Sequence, residues 1–286
     1  MQSLKDQVIV ITGAASGIGR ALSLDAARQG ARLLLADIDA ARLADTLAEV
    51  RALGARAESQ VTDSGREDDL HALAAACERH YGGVDVLVNN AGVALVSSVE
   101  RLQPRDAHWL MDINFWGVVH GCRAFLPLLR RRPEAVIVNI SSIFAMISVP
   151  TQSIYNAAKA AVRAFSDALR EELRDSPVRV LCVHPGGIRT RIVENARMAD
   201  LSMLQLSATQ MRDQFAANAR TTPEEAARQI VAAVLAGRTR LLIGPDARIA
   251  DWLYRLWPAR ASRWISAMGE RRRQKALLSS RGAVTD

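Results

Sequence analysis

Apolar positions along the chain fall into short continuous runs separated by longer amphipathic stretches, and the two alternate from end to end. Val8-Ile9-Val10-Ile11, Leu33-Leu34-Leu35-Ala36, Val86-Leu87-Val88, Ala135-Val136-Ile137-Val138 and Val180-Leu181-Cys182-Val183 are too short for buried helices, and most are rich in β-branched residues. Continuous and not alternating, they predict strands covered on both faces, as in a parallel sheet. Strands are expected at 7–12, 31–36, 56–61, 84–88, 135–140, 178–184 and 240–243. Helices are expected at 17–29, 39–53, 65–80, 105–131, 153–175 and 223–236. No internal repeat or low-complexity linker interrupts the alternation. The pattern predicts an α/β, single-domain, doubly wound fold with a central parallel seven-stranded sheet, helices on both faces, and ligands at the carboxyl ends of the strands.

Composition sets limits on this picture. A chain of 286 residues that is 49% hydrophobic can bury a large core, and one domain of that length is ordinary for an α/β fold. No apolar run approaches the roughly 18 residues that cross a bilayer, and the first apolar run is already a strand, not a secretory leader. Cys77, Cys122 and Cys182 are scattered, odd in number and without metal spacing. They read as small core residues in a reducing, cytoplasmic setting, with no metal site. His108, His120 and His184 also lack metal spacing and read as satisfied or solvated side chains.

Charge changes the picture more. The formal net charge is +7, yet residues 1–237 carry 26 basic and 26 acidic side chains, whereas residues 238–286 carry 11 and 4. A neutral body without a groove-reading motif argues against nucleic acid, and the basicity belongs to the tail.

The first strand runs directly into Gly13-Ala14-Ala15-Ser16-Gly17-Ile18-Gly19, followed by a helical stretch. Glycines between a strand and a helix permit close backbone approach and place a pyrophosphate at the positive helix end. The spacing is Gly-x3-Gly-x-Gly, a departure from the commonest dinucleotide fingerprint. The second strand ends in Asp37, 24 residues beyond Gly13, where a carboxylate accepts ribose hydroxyls and repels a 2′-phosphate. Ser16 and Ile38 stand where that phosphate would need a cation, and Arg42 is expected to face solvent. NAD(H) is therefore favoured over NADP(H). The alternative for Asp37 is a helix cap, although Asp39 is better placed for one.

Tyr155 and Lys159 lie four residues apart, so on a helix they share one face. An ammonium beside a phenol is expected to lower its pKa from the ordinary value of about 10, toward the range useful for proton exchange with a substrate oxygen. Ser142 follows the apolar run 135–140, which would deliver it to the carboxyl edge of the sheet.

TGAASGIG, the NNAG at Asn89 to Gly92, Asn114, Ser142, the Tyr155/Lys159 pair and Pro185-Gly186 before Thr190 occur in this order. With these motifs the chain resembles the short-chain dehydrogenase/reductase family over roughly residues 4–244. The resemblance implies a Rossmann fold and an oxidoreductase that moves hydride between a nicotinamide and a secondary alcohol or ketone. It implies that Tyr155 exchanges the proton on oxygen while Ser142 orients that oxygen. Lys159 would hold the nicotinamide ribose, and Asn114 would position a water. For the cofactor it implies Gly13, Ser16, Gly17, Ile18 and Gly19 at the phosphates. Asp37 and Asp63 would lie at the adenosine, Asp63 being equally readable as a cap. The backbone of Asn89, Ala91 and Gly92 would lie along the adenosine side, with Asn89 equally readable as a sheet tie. Pro185, Gly186, Ile188 and Thr190 would touch the nicotinamide end. A homodimer through helices 105–131 and 153–175 is also implied, or a homotetramer through a second interface near strand seven, which the tail would block or replace.

Softer features concern substrate and tail. Val93 to Val96, Ile143 to Ile147, Val149 and the segment 191–219, with Met198, Leu201, Met203, Leu204, Leu206, Met211 and Phe215, offer an adaptable apolar wall. By resemblance, residues of about 187–220 form a lid. A hydrophobic, bulky ketone or alcohol is favoured, with simple packing of the lid as the alternative. Residues 245–286 form a basic amphipathic extension in which Ile249, Trp252, Leu253, Leu256, Trp257, Trp264, Ile265 and Met268 interleave with arginines. Subunit or core packing, peripheral membrane contact over 245–275, and covering of the pocket are its three readings. A non-catalytic NAD-binding sensor or scaffold docked through this tail is the competing function; binding alone does not call for the quartet Asn114, Ser142, Tyr155 and Lys159.

Overall fold

The computed structural model describes residues 1–269 apart from 202 and 204–206. The chain opens with β1 (Val8–Thr12), α1 (Gly17–Arg28), β2 (Arg32–Asp37), α2 (Ala40–Ala52), β3 (Ala57–Val61) and α3 (Glu67–Tyr81). It continues with β4 (Val86–Asn89), β5 (Leu95–Val96), α4 (Pro104–Met111), α5 (Gly117–Leu129), β6 (Ala135–Ile140) and α6 (Ser153–Glu172). It closes with β7 (Val178–Pro185), β8 (Arg197–Met198), α7 (Ala208–Asn218), α8 (Pro223–Leu235), β9 (Arg240–Ile243), α9 (Pro245–Leu256) and a helical segment over 258–269.

Seven strands form one sheet in the order β3-β2-β1-β4-β6-β7-β9, every neighbouring pair parallel. The apolar runs explain this arrangement, because each central strand is buried on both faces. One core layer lies between the sheet and α1, α2 and α8; the other lies beneath α3, α5 and α6, around Phe125, Leu129 and Val162. The chain leaves β1 first toward β2 and later returns to β4 on its other side. Between these two strands the order reverses, which opens a crevice at their carboxyl ends.

Local chemistry sets the helix ends. Thr222 caps α8 by accepting from the Glu225 amide, with Pro223 in the first turn. Asp39 caps α2 by accepting from the Arg42 amide. α3 starts on Glu67, Asp68 and Asp69 and stops at Gly82, whose φ of 72° suits a residue without Cβ.

Two features differ from the sequence expectation. The expected single helix 105–131 is split by a π turn, Asp112–Trp116, that widens the backbone around Asn114. Such single wide turns tend to occur at functional positions. A second, two-stranded sheet pairs β5 with β8 and ties the segment after Pro185 to the loop after Gly92. Period-based reading misses both, since each pairing is only two residues long or sits inside a helical pattern. Leu204, Leu206 and residues 270–286 of the sequence expectations lie outside the described residues. No described helix is long and apolar enough to cross a membrane.

Candidate active site

The glycine turn sits at the carboxyl end of β1, in the crevice. Gly13 has φ 67°, and a Cβ there would meet the Asn90 amide nitrogen at 2.8 Å. Gly17, at φ 53°, would bring a Cβ to 3.1 Å from Thr190, so the turn and the post-Pro185 segment face each other across a narrow gap. Ser16 stands at the N-cap of α1 without making a capping hydrogen bond through its side chain. The unpaired first-turn amides of a helix attract anionic oxygens, so Gly17, Ile18 and Gly19 fit a phosphate.

Thr12 and Asn90, which the motifs contain without an assigned role, hold this turn. Asn90 donates from its side chain to the Thr12 carbonyl at 2.9 Å and the Gly13 carbonyl at 3.1 Å. The Thr12 hydroxyl accepts from the Asn90 and Ala91 amides at 3.0 and 3.1 Å. Their signal was a polar residue closing an otherwise apolar strand, which buries hydrogen-bonding groups that need partners.

Asp37 terminates β2. One carboxylate oxygen accepts from the Ala15 amide at 2.9 Å and the other from the Asp39 amide at 3.0 Å. The helix cap is Asp39, not Asp37. Arg42 pairs with Asp39 at 3.4 Å, and Ile38 is 65% exposed. Asp63 accepts from the Gly65 amide at 2.9 Å and donates its own amide to Asp69, a turn that leads into α3. Asn89 donates to Asn139 at 2.9 Å across β4 and β6, so its side chain ties the sheet.

Ser142, Tyr155 and Lys159 come together where β6 ends against α6. Lys159 is buried and donates to the Ile140 carbonyl at 3.0 Å; its own carbonyl accepts from the Ser141 hydroxyl at 2.8 Å. The Ser142 hydroxyl accepts from the Phe144 amide at 3.1 Å, and His184 Nδ1 lies 3.2 Å from the Ser142 carbonyl. The Phe144 ring stands edge-on to Tyr155 with centroids 6.2 Å apart. Asn156, three residues before Lys159 on α6, donates to the Phe144 and Ile147 carbonyls at 3.1 and 2.9 Å and holds the loop in place.

Asn114 is wholly buried in the π turn. Its carboxamide oxygen accepts from the Val93 amide at 2.8 Å, and its nitrogen donates to the Val93 carbonyl at 2.9 Å. Both ends of the side chain are thus committed to seating the loop after Gly92. A Cβ on Gly92 would lie 3.3 Å from the Asn114 oxygen and 3.5 Å from Lys159 Nζ, which places all three at one point. At the other rim, Pro185 and Ile188 are buried, Gly186 donates to the Ile243 carbonyl at 2.9 Å, and Asp246 accepts from the Gly187 amide at 2.6 Å.

The electrostatics correct one expectation. Lys159 Nζ lies 5.8 Å from the Tyr155 ring centroid and points to Ile140, not to the phenol. Burial dominates instead and pushes the Tyr155 phenol up to about 12, with the Ser142 hydroxyl pulling it partly back. Burial also lowers Lys159 from 10.5 to about 8. His184, enclosed between Ser142 and arginines 163 and 240, falls to about 4, again chiefly through burial.

The apolar wall is also redistributed. Ile143, Met146 and Ile147 are buried against Ala247, Ala250 and Ala261 of the C-terminal helices, so they pack the protein's own extension. Val93, Ile154 and Tyr155 share a separate cluster with Leu95 and Leu110. The segment after Pro185 is latched to the body: Arg197 pairs with Asp106 at 2.9 Å and lies 3.7 Å over the Trp109 ring, while Ser98 donates to Asp200. Among the described residues no cluster of His, Cys, Asp or Glu could hold a metal.

These features recur in known proteins. Residues 7–200 match the family model described as short chain dehydrogenase. A Mycobacterium tuberculosis protein named as an oxidoreductase, SadH, is 42% identical over 269 residues, covering 93% of this chain and 96% of its own. A short chain dehydrogenase/reductase from Burkholderia phymatum, solved in complex with NAD, superimposes with a TM-score of 0.82 at 30% identity, covering 90% of this chain and 96% of its own. A short-chain dehydrogenase from Streptomyces avermitilis does so with a TM-score of 0.76 at 29% identity, covering 99% and 100%. The parallel sheet, the glycine turn, the Ser142–Tyr155–Lys159 cluster and these matches agree: the chain belongs to the short-chain dehydrogenase/reductase family of oxidoreductases.

Proposed function

We propose that the protein interconverts a secondary alcohol and a ketone with NAD(H) as cofactor, on a hydrophobic, bulky substrate. The observation that carries this reading is that Asn114 and Lys159 meet at Gly92 while the Tyr155 phenol is hydrogen-bonded to Ser142 next to Lys159, at the carboxyl ends of β4 and β6. A binding protein has no use for a phenol held next to a hydroxyl and a buried lysine. When bound, the nicotinamide supplies or accepts hydride at carbon.

The residues fit that cofactor. The first-turn amides of α1 and Ser16 receive phosphate, Asp37 accepts the adenosine ribose hydroxyls, and the backbone of Ala91 and Gly92 lines the adenosine side. Asp63 borders the adenine; Pro185, Gly186, Ile188 and Thr190 face the nicotinamide end. A 2′-phosphate would meet the Asp37 carboxylate, with Ser16 and the exposed Ile38 in place of a cation beside it. Residues 1–244 make up the catalytic body, and 187–220 its lid.

The proton chemistry belongs to Tyr155. A phenol pushed to about 12 is fully protonated at neutral pH, so in ketone reduction it donates to the developing alkoxide. Ser142 donates a second hydrogen bond to the same oxygen and fixes its position against Tyr155. Lys159, charged below about 8, anchors the nicotinamide ribose. Asn114 acts through Val93, holding the wall of the site. Val93 and Phe144 flank Tyr155 and present carbon, not charge, to the substrate. The protein assembles as a homodimer or homotetramer, with a pair of copies meeting through the α5 and α6 face, and works in the cytoplasm.

The test is the change in NADH absorbance with apolar and polar ketones, run with NADPH beside it. Reduction of apolar ketones with NADH, lost in Tyr155→Phe, is the expected result. NADH binding without turnover on any ketone or alcohol points to the sensor reading instead.

A further inference from the structure

The helices after β9 have two unlike faces. Their inner face is apolar and occupied: Ala247, Ala250, Ala261, Leu253 and Ile265 pack on the Ile143–Ile147 loop, and Ser262 accepts from the Ser148 amide at 3.0 Å. The carboxylates of this stretch are committed to the body as well. Asp246 accepts from Gly187, and Asp251 is buried between Arg240 and Arg255. The outer face is apolar too, yet open. Ile249, Trp252, Leu256, Trp257, Trp264 and Met268 are all exposed, Trp252 by 57%. Three indoles nest edge to face there, with centroid separations of 5.9 and 5.4 Å. Exposed Arg248, Arg255, Arg260 and Arg263 surround them, and Arg271, Arg272, Arg273 and Lys275 follow in sequence.

We propose that this outer face docks on an anionic lipid surface, with the tryptophans and aliphatic side chains at headgroup depth and the arginines on lipid phosphates. Indoles favour that depth because they join a large apolar body to one polar N–H. Basic residues flanking an apolar helical stripe add attraction to anionic headgroups, which is the design of an interfacial helix. The segment lies on the membrane and does not cross it, since its inner face is spent on the protein's own core. A second copy of the chain is the poorer occupant. A two-fold contact sets the patch against itself and brings arginines against arginines, with Asp246 and Asp251 already engaged. The charge distribution agrees, because basic and acidic side chains balance over residues 1–237 and the whole +7 excess lies in residues 238–286. Docking here holds the loop beside Ser142 near the bilayer, where an apolar substrate concentrates. The docking does not depend on the substrate being apolar.

The experiment is flotation of the full-length protein with phosphatidylcholine vesicles and with equimolar phosphatidylcholine and phosphatidylglycerol vesicles, at low and high salt. Wild type is expected to float with the anionic vesicles and to be released by salt. Trp252→Glu/Trp257→Glu is expected to weaken binding about a hundredfold. Each reversal in Arg260→Glu/Arg263→Glu is expected to cost roughly fivefold or more. Both variants should keep NADH binding and circular dichroism, because the altered side chains are exposed. Absence of wild-type flotation on anionic vesicles overturns the proposal. So does flotation that the tryptophan variant leaves unchanged. A dimer dissolved by the tryptophan variant, with no flotation of wild type, identifies a second copy as the occupant.

Discussion

Replacing Lys159 by methionine separates what the fold prefers from what the site requires. Lys159 is 3% exposed, and its ammonium is lowered from 10.5 to about 8 by burial. That gap is worth about 3 kcal/mol against the charged folded state at neutral pH. Between pH 8 and 10.5 the unfolded chain binds a proton that the folded protein has released. Stability therefore rises with pH across that window, by up to about 1.4 kcal/mol per pH unit. Methionine removes the charge but leaves the Ile140 carbonyl without its donor, a loss of about 1–3 kcal/mol. The two effects nearly offset at neutral pH, so the variant should be about as stable as wild type there. The slope decides the matter. Urea unfolding between about pH 7 and 10 should show wild type gaining stability relative to Lys159→Met as pH rises. Turnover in the variant should fall by about 10³. Parallel slopes in the two proteins would refute the assignment of this titration to Lys159.

Tyr155→Phe should lower kcat by about 10³ while leaving the NADH dissociation constant nearly unchanged, as fluorescence titration would show. Asp37→Ser should raise the NADPH-to-NADH ratio of kcat/KM by about tenfold or more; an unchanged ratio sinks the cofactor assignment. His184 is lowered from 6.5 to about 4, so the unfolded chain binds the extra proton between those values. Wild type should accordingly lose up to about 3 kcal/mol as pH falls through that window, and His184→Asn should lose less in acid urea titrations. Truncation at Gly244 should destabilise the protein and lower turnover, because it strips cover from Ile143, Met146 and Ile147; a fully active, equally stable truncation contradicts the packing.

The parallel sheet was legible because burial on both faces demands continuous apolar runs, and β1, β2, β4, β6 and β7 each display one. Motif spacing marked where Gly13, Asp37, Ser142, Tyr155 and Lys159 would gather. Contacts between distant polar residues left no such trace. The Asn90 grip on the glycine turn, the Asn114 clamp on Val93 and the Asn156 hold on the Ser142 loop each join residues through side-chain geometry. Periodicity carries no record of that geometry. The π turn around Asn114 was likewise hidden, since its apolar pattern still reads as one long helix.

From sequence alone came the fold class, the order of the elements, the cluster of chemically able residues and the concentration of positive charge in the tail. These follow from local composition and spacing. The tertiary structure decided the rest. It turned Lys159 toward Ile140 and away from the Tyr155 ring, so that burial and not the ammonium governs the phenol. It assigned Ile143, Met146 and Ile147 to the protein's own C-terminal helices. It also chose which face of those helices is covered and which is left with three tryptophans in the open. Desolvation and pairing depend on every group that surrounds a side chain, and only the folded chain brings those groups together.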